Sequence, residues 1–199
     1  MKKILLAYVT LIIFVIGLAF HQPSNPAMLY DSQLLGSIES FDKEKIEIQK
    51  DLMSDAYQIA KQDGHNPEIV QSILLQESLA GTVKGYTVSK QGTSTYYGVM
   101  QLTKGAAKDV LSRWPGLFTK YGMQTRTEEE IKAHLILNDK FNIEVASKYL
   151  LMLRKQYGFS GRELLNAYNQ GPGGVKKVGA DFYYAISAEQ KLRAYKARM

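Results

Sequence analysis

His65-Asn66-Pro67-Glu68-Ile69-Val70-Gln71-Ser72-Ile73-Leu74-Leu75-Gln76-Glu77-Ser78 reads as a helix with a marked beginning and an unusual end. Asn66 is a preferred cap. Pro67 suits the first helical position, where an N–H would go unpaired anyway, and Glu68 places negative charge in the first turn. Ile69, Val70, Ile73 and Leu74 recur at helical spacing and form an apolar face. Glu77 lies four residues beyond Ile73 and eight beyond Ile69, so it falls near that same face. A carboxyl at the end of a core-facing stripe is partly desolvated, which raises its pKa and keeps it protonated near neutral pH. An acid of that kind is suited to protonate a leaving oxygen, as glycosidic cleavage requires. The alternative is a glutamate that sits where the helix frays and is simply solvated; periodicity leaves both open.

Outward from this helix the pattern is mostly α. Upstream, Asp42 is a plausible cap, and Ile46, Leu52, Met53, Ala56, Tyr57 and Ala60 follow at roughly helical spacing until Gly64. Downstream, residues 81–98 turn to Gly, Ser, Thr, Lys and Tyr, which predicts an irregular or weakly β segment. Helical spacing returns with Ala106, Ala107, Val110 and Leu111 before Trp114-Pro115-Gly116 breaks it, and Thr127-Glu128-Glu129-Glu130 is a charged helix start that suits the helix dipole. Asn142 is expected to cap an amphipathic helix bearing Ile143, Ala146, Tyr149, Leu150, Leu153 and Tyr157, ended by Gly158. A further helix from about Gly161 to Tyr168 is stopped by Gln170-Gly171-Pro172-Gly173-Gly174, and the stretch from Asp181 is Tyr-rich, then basic.

The 199 residues leave room for one domain with a sizeable core, and 45% hydrophobic with 22% charged residues is a globular balance. Met1-Lys2-Lys3 precedes an uncharged apolar run from Ile4 to Phe20, which reads as an export signal. Gly17 and Ala19 offer a small-x-small pattern for cleavage after Ala19. The run also approaches the ~17 residues that cross a bilayer, so an uncleaved anchor is the alternative. Cleavage would remove Lys2 and Lys3 and lower the formal charge from +6 to +4. That surplus favours an acidic partner without choosing among them. The expected organisation is residues 1–20 as signal or anchor, 21–41 as linker and 42–199 as the folded domain. With no cysteine there is no disulfide or thiol nucleophile, a cysteine-linked lipoprotein N-terminus is not expected, and His21, His65 and His134 make no metal spacing.

From Ser78 through Lys108 there is no Asp or Glu. Hydrolysing glycosidases usually pair two carboxylates across the bond, so a single-acid mechanism is the economical expectation. Four segments in order carry a resemblance. His65 to Val70 leading to Gln76-Glu77-Ser78 is similar to the opening helix and Glu-Ser motif of the soluble lytic transglycosylase catalytic domain. Gly98-Val99-Met100-Gln101-Leu102 resembles that family's Gly-Leu-Met-Gln motif. Asn142-Ile143 through Tyr149-Leu150 resembles its Asn-Ile…Tyr-Leu helix, and Ala167-Tyr168-Asn169-Gln170-Gly171-Pro172-Gly173 resembles its Ala-Tyr-Asn-x-Gly-Pro-Gly segment. Together they cover about residues 53–175.

The resemblance implies a lysozyme-like α domain with a minor irregular or β-like insert and a glycan in its cleft. It implies that Glu77 protonates the oxygen between N-acetylmuramic acid and N-acetylglucosamine, then takes the proton of the muramoyl 6-hydroxyl, leaving a 1,6-anhydro end. It further implies that Ser78 bonds near the acetamido group, that Met100 and Gln101 line the cleft, that Tyr168 reaches the Glu77 carboxyl, and that Asn169 holds the loop or the sugar. The implied partner is peptidoglycan, with membrane anchoring through residues 4–20 or a secretion or lysis machine as further contacts. No cofactor, metal or nucleic acid is expected. Between Ser78 and Gly98 the chain departs from the family's Asn-Pro-x-Ala and Ser-x-x-Gly-Ala-x-Gly pattern, which bears on the cleft wall; Tyr96 and Tyr97 suit either stacking on sugar or packing on the domain. A hydrolytic muramidase or phage-type lysis enzyme, and a non-catalytic peptidoglycan-binding module of a secretion machine, are the competing functions.

Overall fold

A computed structural model describes residues 43–83, 85–89, 92, 95–178 and 182–199. The expected signal or anchor, the linker and Asp42 lie outside the described residues. Among those described there are eight helices and one small sheet, and no helix is long and apolar enough to cross a membrane.

Helix α1 (Lys43–Gln62) buries Leu52, Met53, Ala56, Ile59 and Ala60, and the chain turns away at Gly64 with φ +67°. Tyr57, expected on that face, is exposed and lies under the Lys61 ammonium. Helix α2 (Pro67–Ser78) begins as its sequence predicts, with the Asn66 side chain accepting from the Glu68 N–H at 3.1 Å. It ends because Leu79 turns left-handed at φ +49°, its N–H returning to the carbonyls of Leu74 and Leu75.

The segment expected to be irregular or β-like forms an antiparallel sheet of β1 (Tyr86–Val88), β2 (Thr95–Tyr97) and β3 (Leu102–Thr103), in that order. Tyr86 pairs with Tyr97, and Tyr97 with Leu102. Thr103 then caps α3 (Lys104–Arg113), and the Trp-Pro-Gly break leads into a five-residue helix, α4 (Gly116–Lys120). Helix α5 (Glu128–Leu137) has Thr127 as its cap. Its acidic start is more engaged than a solvated one, since Glu128 pairs with Lys104 and Lys108 at 2.6 Å each.

Helix α6 (Asp139–Tyr157) was expected to be amphipathic with Asn142 as its cap. Asn138 is the cap instead, accepting from Phe141 N–H at 2.9 Å, and Asn142 sits fully buried in the first turn. Two asparagines four residues apart both suit a cap, and the outer one takes it. Twelve of the 19 residues are buried, so α6 is the central helix of the core rather than a surface one. Its one buried acid, Glu144, is paired with Lys120 at 2.6 Å and accepts from the Tyr121 hydroxyl at 2.7 Å.

Helix α7 (Gly161–Val178) runs past the predicted stop. Gly171, at φ 71° and ψ 165°, breaks it into two helical pieces, and the second resumes at Pro172. A proline lacks the N–H that a helix start leaves unpaired, so the same Gly-Pro pair that ends one helix begins the next. Helix α8 (Tyr183–Lys196) closes the domain, burying Tyr184, Ala185, Ala188 and Leu192.

Candidate active site

Glu77 occupies the last turn of α2, on the face that carries Ile73 into the core. Its side chain is partly enclosed, and burial raises its pKa to about 7 against two opposing pulls, a hydrogen bond from Tyr184 and the charge of Lys191. The Tyr184 hydroxyl donates to Glu77 Oε1. Burial, with the nearby Glu77 charge, pushes the ionisation of both Tyr184 and Tyr168 far above the usual range, so both stay neutral donors.

A cleft of about 250 Å³ opens above this carboxyl. Glu77, Tyr96, Gln101, Tyr149, Tyr168 and Asn169 are among its lining, and among the described residues Glu77 is the one carboxylate there. Gln101 is held in a left-handed conformation at φ +48°. Its Nε2 donates to Gly98 O at 2.7 Å, and its Oε1 accepts from Thr87 Oγ1 at 2.5 Å. Gly98 makes this turn possible, since a Cβ at its φ of +72° would lie 2.0 Å from the Leu135 carbonyl oxygen. Asn142 pins the same turn from α6: its Oδ1 accepts from Met100 N–H at 2.7 Å and its Nδ2 donates to Tyr97 O at 3.0 Å.

Of the residues singled out by sequence, Glu77, Gln101, Tyr168 and Asn169 converge on the cleft. Ser78 does not. It is buried, its Oγ donating to Leu74 O at 3.2 Å and accepting from Gly81 N–H at 2.9 Å, which ties off the end of α2. Met100 is fully buried beneath the cleft rather than lining it. Tyr168 is beside Glu77 without a hydrogen bond to it: its hydroxyl donates to Met100 O at 2.7 Å, and its ring meets that of Tyr149 edge-on at 5.9 Å. The hydroxyl that does reach the acid, Tyr184, was missed. Tyr184, Ala185, Ala188 and Leu192 stand at helical spacing, a signal that selects Tyr184 over Tyr183 in the Tyr-rich stretch. Among the described residues no group of three or more His, Asp or Glu is placed to hold a metal ion.

The family model described as the transglycosylase SLT domain matches residues 56–190. The match begins in α1, spans the cleft and extends into α8 beyond Tyr184. The mostly helical architecture agrees with the lysozyme-like fold of that family. A search of curated proteins finds no match to the chain.

Proposed function

Because this chain belongs to the transglycosylase SLT domain family, whose activity is directed at peptidoglycan, we propose that it cleaves the bond between N-acetylmuramic acid and N-acetylglucosamine without water, with Glu77 as both acid and base. The observation that carries this reading is a carboxylate, alone among the described residues that line the cleft, whose pKa stands near 7 and which is hydrogen-bonded by a neutral tyrosine. A general acid works best when its pKa lies near the working pH. Among the described residues that line the cleft there is no second carboxylate of the kind that hydrolysing enzymes place across the bond.

In the first step protonated Glu77 gives its proton to the glycosidic oxygen as the bond from the muramoyl anomeric carbon to that oxygen breaks. The muramoyl acetamido group helps carry the developing positive charge. In the second, the Glu77 carboxylate takes the proton of the muramoyl 6-hydroxyl, whose oxygen closes onto the anomeric carbon. The acid is restored, and the product ends in 1,6-anhydro-N-acetylmuramic acid. Gln101, held by Thr87 and Gly98, keeps hydrogen-bonding capacity toward sugar. Asn169 presents its amide at the exposed rim. Met100 takes no direct part; its backbone anchors Tyr168 and Asn142 under the cleft.

Purified protein and a Glu77→Gln variant incubated with the same sacculi test the reading. The wild type is expected to release muropeptides with anhydro ends. The variant, nearly isosteric with the protonated acid, is expected to fold and to lose at least about 10³-fold in release, since it moves the proton in neither step. Reducing ends would establish a hydrolase, and no release by the wild type would establish a non-catalytic module. The same proposal places the domain outside the cytoplasm, carried there by residues 4–20. A reporter active only after export, fused to about the first 30 residues, is expected to be active; a well-expressed silent fusion overturns export.

A further inference from the structure

One face of α8 is given over to the last turn of α2. Tyr184 donates to the Glu77 carboxyl. Ser187 Oγ donates to Gln76 Oε1 at 2.9 Å. Lys191 Nζ donates to the Gln76 carbonyl at 3.4 Å. The positions 184, 187 and 191 are three and four residues apart, so they share a face. The first holds the acid itself, and the other two hold the residue beside it.

We propose that Lys191 is a positioning residue for proton transfer: seated by α8 against the C-terminal end of α2, its ammonium group sets how readily Glu77 gives up its proton. This rests on the reading of Glu77 as the acid and base.

The end of a helix carries a partial negative charge on its unpaired carbonyls, and cations placed there are favoured. Glu77 sits at that end, where both the dipole and burial oppose its ionisation. Helix α2 has no basic residue in its own last turn. Lys191 supplies the missing cation from another helix, at a carbonyl of that turn. Its hydrogen bond goes to the backbone rather than the carboxylate, so it acts on Glu77 through the field and leaves the acid free to face sugar. Holding a lysine there has a cost: burial pulls the Lys191 pKa below the usual range, with the Glu77 charge opposing.

The other groups around the acid do not duplicate this. Among the described residues, Tyr184 on α8 and Tyr168 on α7 are neutral, and Gln101 on the sheet side of the cleft carries no charge. Tyr184 and Lys191 together restrain the rise that burial imposes on the carboxyl. Without the lysine, the acid keeps its proton more tightly and is the weaker donor.

The test uses the full chain with ¹³C-labelled glutamate, as wild type, Lys191→Met and Lys191→Arg. The Glu77 carboxyl is titrated by NMR, and muropeptide release is followed across pH on the same samples. In Lys191→Met the Glu77 midpoint is expected to rise by roughly one pH unit, since an opposite charge nearby depresses a carboxyl by about that or more. The alkaline limb of release should move up with it. Lys191→Arg, which keeps the charge, should titrate close to wild type. A residue that merely packs would lower the rate or the melting temperature and leave the midpoint in place, and that result overturns the proposal. So does an arginine variant that shifts as far as the methionine one. Should Lys191→Met not fold, Lys191→Gln serves the same comparison. A wild type that shows the Lys191-dependent midpoint yet releases no muropeptides would support the coupling and overturn the enzymatic reading beneath it.

Discussion

Two buried tyrosines flank Glu77 and serve different atoms. Tyr184 bonds the carboxyl, and Tyr168 bonds the backbone of the turn beneath it. Their phenylalanine variants should therefore fail in different ways. Tyr184→Phe removes a hydrogen bond that lowers the Glu77 pKa, so that pKa should rise above about 7 and the alkaline limb of the rate should move upward. Its loss of activity should stay below that of Glu77→Gln, because the hydroxyl orients the acid and does not carry the proton. Tyr168→Phe leaves the buried Met100 carbonyl without its donor, which typically costs about 1–3 kcal/mol of stability, and should leave the pH limb where it was. Denaturant unfolding and a pH–rate series on both variants check this; a limb that moves only in Tyr168→Phe would exchange the two roles. Sequence motifs named Tyr168 because it stands in the Ala-Tyr-Asn segment. A motif specifies the neighbourhood of a side chain, but the atom it reaches is set by how its helix is rotated.

At the scale of elements, the sheet and the turn that follows it show what local pattern conveys and what it cannot. The starts of α2 and α5 were readable, because a cap is decided within three residues: Asn66 and Thr127 accept from an N–H two or three residues on. The β-like insert was legible as composition, but its pairing of Tyr86 with Tyr97 was not, since register depends on partners distant in sequence. Asn142 is the clearest case. As a local signal it reads as a cap, yet its function is long-range, bridging α6 to Tyr97 and Met100 more than 40 residues away. That bridge explains Gly98, which must lie against Leu135 and Asn142 with no room for a Cβ. Gly98→Ala should cost at least about 3 kcal/mol, combining a left-handed backbone with overlap against the α5 main chain. It should also weaken cleavage by displacing Gln101, whose amide rests on the Gly98 carbonyl. Unfolding curves for the variant read the first effect. A loss under about 1 kcal/mol would mean that the turn yields more easily than its contacts imply.

For the whole molecule, a buried carboxyl held near neutrality has a consequence for stability. In an unfolded chain the Glu77 carboxyl titrates near 4.5, and in the fold near 7. Between those values the folded protein holds a proton that the unfolded chain has released, so stability falls as pH rises through the window. Below about pH 4.5 both states are protonated and the penalty vanishes; above about pH 7 both are ionised and it is fully present. The shift corresponds to about 3 kcal/mol as an upper bound, reduced in practice by the partial solvent access of the side chain. Other groups act in the opposite sense: Glu128 and Glu130 are held down near 2 by lysine partners and by backbone N–H groups respectively. Their stabilisation, present above about pH 4.5, is lost as pH falls toward 2, so the overall curve mixes both. Subtraction isolates the acid. Glu77→Gln keeps every other titrating group and loses only this one, so the stability of the variant minus that of the wild type should stay flat below about pH 4.5. It should then climb through the window and level off above about pH 7.5. Denaturant midpoints for both proteins at half-unit steps from pH 4 to 8.5 measure that difference. A difference that stays level across the whole range would show that Glu77 titrates alike in folded and unfolded protein. The cleft would then hold an ordinary solvated carboxylate, with no proton to give at neutral pH.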